Sequence, residues 1–206
     1  MYVREVCALN SKKSRVKFDT GESIVLYKGE IRKYNIEADT DMNESDYTYI
    51  MNELLPKRCR ERAMYIIERS DKTRKQIADK LRQNGYPDSI IDGALEFLDK
   101  YDYVDDNKYA KSYINAKSGT KSRRQIEYEL NQRGICTDAL RQLLGEEYSD
   151  EVDTIKKLLY KRRYSENLSA DKSKHVQYLM RKGFSYDNIQ RAMNEFHIAG
   201  SENPQY

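Results

Sequence analysis

The sequence has no tryptophan, two histidines and three cysteines in 206 residues. Cys7, Cys59 and Cys136 are odd in number and far apart, which argues against a disulfide framework and for a reducing cytoplasm. His175 and His197 lie near no cysteine at metal-ligand spacing, so no metal is expected. There is no glycine-rich phosphate loop and no Gly-x-Ser-x-Gly. Asp105-Asp106 is a paired acid, but it falls where one unit gives way to the next helix, and acids favour a helix start. No catalytic residue, cofactor or enzymatic activity is read from the chain. Its longest apolar stretch, near Ile24-Val25-Leu26-Tyr27, is far short of a membrane span. The start, Met1-Tyr2-Val3-Arg4-Glu5, carries no apolar signal region, so no leader is expected.

Charged residues make up 34% of the chain and mean hydropathy is −0.95. The apolar residues are nonetheless periodic, which argues for folding rather than disorder. The organising segment is Lys80-Leu81-Arg82-Gln83-Asn84-Gly85-Tyr86. It returns as Glu129-Leu130-Asn131-Gln132-Arg133-Gly134-Ile135 and as Tyr178-Leu179-Met180-Arg181-Lys182-Gly183-Phe184. The glycine spacings 134 − 85 and 183 − 134 are both 49, the mark of a tandem array. Each copy reads as a helix closed by a left-handed glycine, followed by an apolar residue that packs back.

The same register places Thr73, Ser122 and Asp171 at the helix N-cap. Gln76 and Gln125 follow three residues later, completing a capping box in the first two copies. A second helix follows each glycine, with Ile91, Leu140 and Ile189 equivalent, then Leu95, Leu144 and Met193. Another apolar-periodic run precedes each capped helix: Ala63, Ile66, Ile67; Tyr109, Tyr113, Ile114; Ile155, Leu158, Leu159. The fold class is therefore mainly α, with three tandem three-helix repeats at residues 57–105, 106–154 and 155–200, and a tail at 201–206. One unit alone has a small core and needs stacked neighbours.

Residues 1–56 stand outside the repeat. Arg15–Phe18 and Ser23–Tyr27 read as strands joined by a turn at Asp19-Thr20-Gly21-Glu22, making a small α/β head with a β-hairpin. Ser11-Lys12-Lys13-Ser14 interrupts the preceding run, Tyr2–Leu9. A helix is expected over Tyr47–Leu55, with Pro56 ending it. Strands this short need support, so the head is expected to pack on the first repeat.

Net charge is only +3, and its distribution says more than its sum. Residues 57–82 are predominantly basic and 88–106 predominantly acidic. Either the two halves pair within the unit or each faces a partner. Arg74, Arg123 and Lys172 recur just inside the capped helix, where a cation opposes the helix dipole. Two readings stand: solvated side chains at small cost, or contacts to a partner. The 18 tyrosines admit two readings as well. Tyr101, Tyr103, Tyr109, Tyr113 and Tyr128 either cover a small core or stack on unpaired bases beside Arg123 and Arg124; the core reading is the expectation.

Val104-Asp105-Asp106-Asn107-Lys108-Tyr109-Ala110 resembles the (Ile/Leu/Val)-Asp-Asp-x-x-(Phe/Tyr)-Ala signature of the bacterial RecX family. Lys72–Leu81 resembles that family's Arg-Ser-x-x-Glu-Leu-x-x-Lys-Leu, and Ser122–Ile135 its Gly-x-x-x-Ile-x-x-Glu-Leu-x-x-(Lys/Arg)-Gly-(Ile/Val). Lys72-Thr73 stand for Arg-Ser, Gln76 for Glu and Ser122 for Gly, each keeping a helix-start role. The resemblance runs over residues 57–144. It implies a non-enzymatic modulator of the RecA recombinase in DNA repair, homologous recombination and the SOS response. Such a protein binds the RecA filament on single-stranded DNA, lies in its groove and suppresses ATP hydrolysis, strand exchange and coprotease activity. It would act as a monomer in the cytoplasm, with no membrane partner. The contacts are expected at Arg74, Lys75, Arg123, Arg124 and Lys172, with Lys161, Arg162 and Arg163. An alternative from the residues is a helix-turn-helix-like protein that binds duplex DNA directly. A third is a protein adaptor that touches no DNA.

Overall fold

The computed structural model describes residues 1–147, 150–162 and 169–201. It divides into two compact units, Met1–Asp105 and Asp106–Tyr206.

The first unit begins with strands β1 (Tyr2–Ala8), β2 (Lys13–Phe18) and β3 (Ser23–Tyr27), then helix α1 (Lys28–Lys33) and a two-residue strand β4 (Thr40–Asp41). The sheet is antiparallel in the order β3-β2-β1-β4. Alternation in β2 puts Ser14, Val16 and Phe18 inside and their neighbours outside, the pattern of a sheet wet on one face. In β3 three consecutive residues, Ile24, Val25 and Leu26, are buried, so that strand is covered on both faces. Lys13 and Ser14 already belong to β2, so the break after β1 is shorter than the expected Ser11–Ser14.

Helix α2 (Glu44–Tyr49) passes through a π-helical turn, Ile50–Leu54, into α3 (Leu55–Arg69). Pro56 therefore does not end the helix, contrary to expectation. The Leu55 N–H donates to the Ile50 carbonyl five residues back. This wider ring restarts the hydrogen-bond frame, so Pro56 sits in the first turn of α3, where its missing N–H costs nothing. Helices α4 (Arg74–Gln83) and α5 (Asp88–Lys100) complete the unit. One apolar core runs from Val3, Val16 and Phe18 through Leu55, Cys59 and Ala63 to Leu81, Ile91 and Leu98. The head thus shares its core with the first three helices, as its short strands require. Burial pushes the Cys59 thiol up to about 12, which leaves it an inert core residue.

The second unit holds α6 (Asp106–Lys117), α7 (Arg123–Gln132), α8 (Thr137–Glu147), α9 (Glu151–Lys161), α10 (Ser169–Arg181) and α11 (Tyr186–Ser201). Two separate cores serve it. Ala110, Ile114, Ile126, Leu130 and Leu140 form one; Ile155, Leu159, Leu179, Phe184, Ile189 and Met193 form the other.

The three repeats close their middle helices identically. Gly85, Gly134 and Gly183 all have φ between 85° and 91°. Each glycine N–H bonds three residues back, to Arg82, Asn131 and Met180. The next residue bonds five back, to the buried Leu81, Leu130 and Leu179. This is the Schellman arrangement, which satisfies the last carbonyls of the helix. Two of these glycines also make room. A Cβ on Gly85 would stand 2.2 Å from Cγ2 of Val25, so the first repeat closes directly on β3.

The expected N-cap residue holds in two copies, and the full capping box in the first alone. The Gln76 N–H donates to Thr73 Oγ1 at 3.2 Å, and the Thr73 N–H donates to Gln76 Oε1 at 3.2 Å. Ser122 Oγ accepts from the Gln125 N–H at 3.1 Å. The expected return bond from Gln125 is not made; its amide donates to Glu129, and the Ser122 N–H goes to the Lys182 carbonyl instead. In the third copy Asp171 is not a cap, since helix α10 already runs from Ser169 and places Asp171 inside its first turn. Of the loop expected at Ser165–Ala170, 165–168 lie outside the described residues, as do 202–206 of the tail.

Candidate partner-binding surface

The N-terminus of α4 presents Arg74 and Lys75, both exposed, immediately after a fully buried cap at Thr73. Arg74 Nε lies 3.1 Å from Asp99 Oδ2 on α5, with both side chains half-exposed. Arg82 likewise pairs with Asp79 and Asp88 at 2.9 and 2.8 Å. The basic and acidic halves of the first unit therefore pair at these positions. Exposed pairs of this kind contribute about 0–1 kcal/mol, so a partner can displace them cheaply.

The N-terminus of α7 repeats the pattern with Arg123 and Arg124, both exposed, after the fully buried Ser122. Here a carboxylate answers the helix dipole. Glu151 Oε1 accepts the Arg123 backbone N–H at 2.9 Å, and its Oε2 accepts Asn188 Nδ2 at 2.8 Å. The first residue of α9 thus ties α7 to α11.

Beside this clasp lies a cleft of about 710 Å³ lined by Arg124, Tyr128, Met180, Phe184, Tyr186 and Asn188, among others. Tyr128, Met180 and Tyr186 are 60%, 52% and 55% exposed. Tyr101 and Tyr103 are also exposed, stacked on each other at 5.8 Å. The expectation that all five central tyrosines cover the core holds for Tyr109 and Tyr113 alone. Those two stack at 6.4 Å against the α6–α8 core, with the Arg133 guanidinium 4.0 Å from the Tyr113 ring.

Lys161 and Arg162 are exposed at the end of α9, where Arg162 stacks on Tyr178 at 4.1 Å. Lys172 is exposed in the first turn of α10. Arg163 lies outside the described residues. Arg124 alone among the expected contact residues lines the cleft.

Two charged clusters escaped the sequence reading. Arg58 forks onto Glu30 at 2.9 and 3.0 Å and donates to the Val25 carbonyl at 3.0 Å, pinning α3 to the head. Glu129 accepts from Tyr113, from Lys121 at 2.7 Å and from Gln125 at 2.9 Å. Burial alone would raise its carboxyl, but these bonds outweigh it and hold the pKa at about 2. Among the described residues no cluster of three or more histidine, cysteine or acidic side chains is placed to hold a metal. No helix among them is long and apolar enough to cross a membrane.

Three three-helix modules following one another along the chain, after a small antiparallel sheet, define a helical-repeat protein. Family models described as the first, second and third three-helix domains of RecX match residues 59–98, 105–144 and 149–193. The chain belongs to the RecX family. A regulatory protein RecX from Caldanaerobacter subterraneus subsp. tengcongensis is 32% identical over 162 residues, 77% of this chain and 81% of its own. One from Clostridium botulinum is 29% identical over 93% of both chains. A crystal structure of RecX from Lactobacillus salivarius shares 28% identity over 70% of this chain and 97% of its own, with TM-score 0.60. A second crystal structure of regulatory protein RecX, at 20% identity, covers 94% of this chain and 98% of its own with TM-score 0.61 and shares the fold.

Proposed function

We propose that this protein is a non-enzymatic regulator that binds the RecA recombinase filament on single-stranded DNA. It lowers the filament's ATP hydrolysis, strand exchange and coprotease activity during DNA repair in the cytoplasm. A regulatory role is common to the relatives named above. The observation that carries the finer reading is the recurrence of exposed cations near the starts of the three middle helices: Arg74 and Lys75 open α4, Arg123 and Arg124 open α7, and Lys172 lies in the first turn of α10. Repeated modules present repeated contacts, and a filament is itself a repeat. Several weak contacts engaged together raise avidity without any strong single one. Lys161, Arg162 and Arg163 are further contacts in this reading, and the working unit is a monomer.

Charge reversal tests it. Arg123→Glu with Arg124→Glu is expected to weaken filament binding at least tenfold, measured by co-sedimentation with RecA on single-stranded DNA. Circular dichroism checks that α7 remains folded. Wild-type affinity in the double variant would contradict the assignment of these residues.

A further inference from the structure

We propose that the cleft beside α7 is a seat for unpaired bases of single-stranded DNA, with Tyr128 and Tyr186 as stacking faces and Arg124 as a backbone contact. Arg124 and Tyr128 are four residues apart on one helix and so share a face. Tyr186 is the first residue of α11, whose sixteen residues direct the positive end of their dipole to that side. Charge and aromatic surface thus meet in one cleft.

The aromatic faces here are open, unlike most others in the molecule. Tyr113 lies under Arg133, Tyr65 under Arg62 and Arg69, and Tyr101 against Tyr103 and Phe97. Tyr128 and Tyr186 stack on no other ring and lie under no cation among the described residues, although both are more than half exposed. Glu151 is the acid in the cleft, and each of its oxygens already takes an N–H, from Arg123 and Asn188. Both oxygens are thus held by donors on α7 and α11, which fixes the carboxylate in place beside Arg124. Base–aromatic stacking with an adjacent guanidinium is the usual chemistry of sequence-blind single-strand binding. The proposal deepens the regulatory reading, since single-stranded DNA is where that regulator works.

The test uses the full chain without recombinase. Anisotropy of a labelled oligo(dT) and quenching of a 2-aminopurine oligonucleotide report binding across a salt series. Tyr128→Ala is expected to weaken binding on the order of tenfold at unchanged salt slope, while Tyr128→Phe stays within about twofold. Arg124→Gln is expected to lower the salt slope by about 0.7–1. Tyr128→Ala and Tyr186→Ala proteins that both bind like wild type would overturn the proposal. So would loss of recombinase regulation in those variants with oligonucleotide binding intact, which assigns the cleft to a protein partner. Wild-type DNA binding that depends on Tyr128, without any effect on recombinase, supports the cleft and overturns the regulatory reading instead.

Discussion

Gly183 lies so close to Ser122 that a Cβ on the glycine would stand 2.5 Å from the serine Oγ. The Ser122 N–H donates to the carbonyl of Lys182 at 3.2 Å. The turn that closes the middle helix of the third module therefore seats on the N-cap of the second module's middle helix. Gly85 makes a similarly close approach to the Val25 side chain of β3.

Gly183→Ala carries two penalties there, a left-handed φ of 90° and a clash with Ser122 and Gln125. A loss of about 2–4 kcal/mol is expected, measured by urea unfolding. Gly93 is the control. It lies inside α5 with nothing near its absent Cβ, and Gly93→Ala is expected to stabilise by about 0.5–1 kcal/mol.

Arg58→Ala removes the fork onto Glu30 and the bond to the Val25 carbonyl, at a site where both side chains are about four-fifths buried. Breaking such a pair leaves the remaining charge uncompensated, and about 2–4 kcal/mol is expected. Amide exchange in β3 and α1 should accelerate more than exchange in α7. Uniform acceleration would show that Arg58 does not act on the head specifically.

The Glu129 pKa is depressed in the fold, so its contribution is present above the unfolded carboxyl value, near 4.3, and is lost as pH falls towards about 2. Glu129→Gln is expected to cost on the order of 2 kcal/mol at pH 7. That difference from wild type should shrink steadily between pH 5 and pH 2. A difference independent of pH would mean that the carboxylate's charge is not what stabilises the fold.

Thr73→Ala removes a hydroxyl that is fully buried and caps α4, leaving the Gln76 N–H without its acceptor. The expected loss is about 1–2 kcal/mol by thermal unfolding, and Thr73→Ser should recover most of it.

Much of this architecture was written locally. The glycine spacing, the caps at Thr73 and Ser122 and the buried leucines preceding each glycine depend on neighbours within a few residues, so sequence register found them. What register missed was tertiary. Pro56 stays within a helix because a π-turn absorbs it, and nothing in Tyr47–Leu55 signals that widening. Register makes Asp171 equivalent to Thr73 and Ser122, yet α10 starts upstream of it. Arg58 and Glu151 act across 28 residues, through contacts that no spacing rule proposes. Tyrosine clustering does not separate Tyr109 and Tyr113, which pack on the core, from Tyr128, which is exposed because α7 turns Ile126 and Leu130 inward instead. Register alone does not decide whether Arg74 is solvated, meets a partner or pairs with the acidic half of its unit; in the fold its side chain meets Asp99.

Regulation of a recombinase filament is tested most directly by ATP hydrolysis by RecA on single-stranded DNA, with this protein added below one copy per recombinase. A fall in rate that begins at such substoichiometric amounts is expected, because one repeat array would disturb several subunits. An unchanged rate up to equimolar protein, with DNA binding intact in a parallel shift assay, would contradict it and favour direct DNA binding.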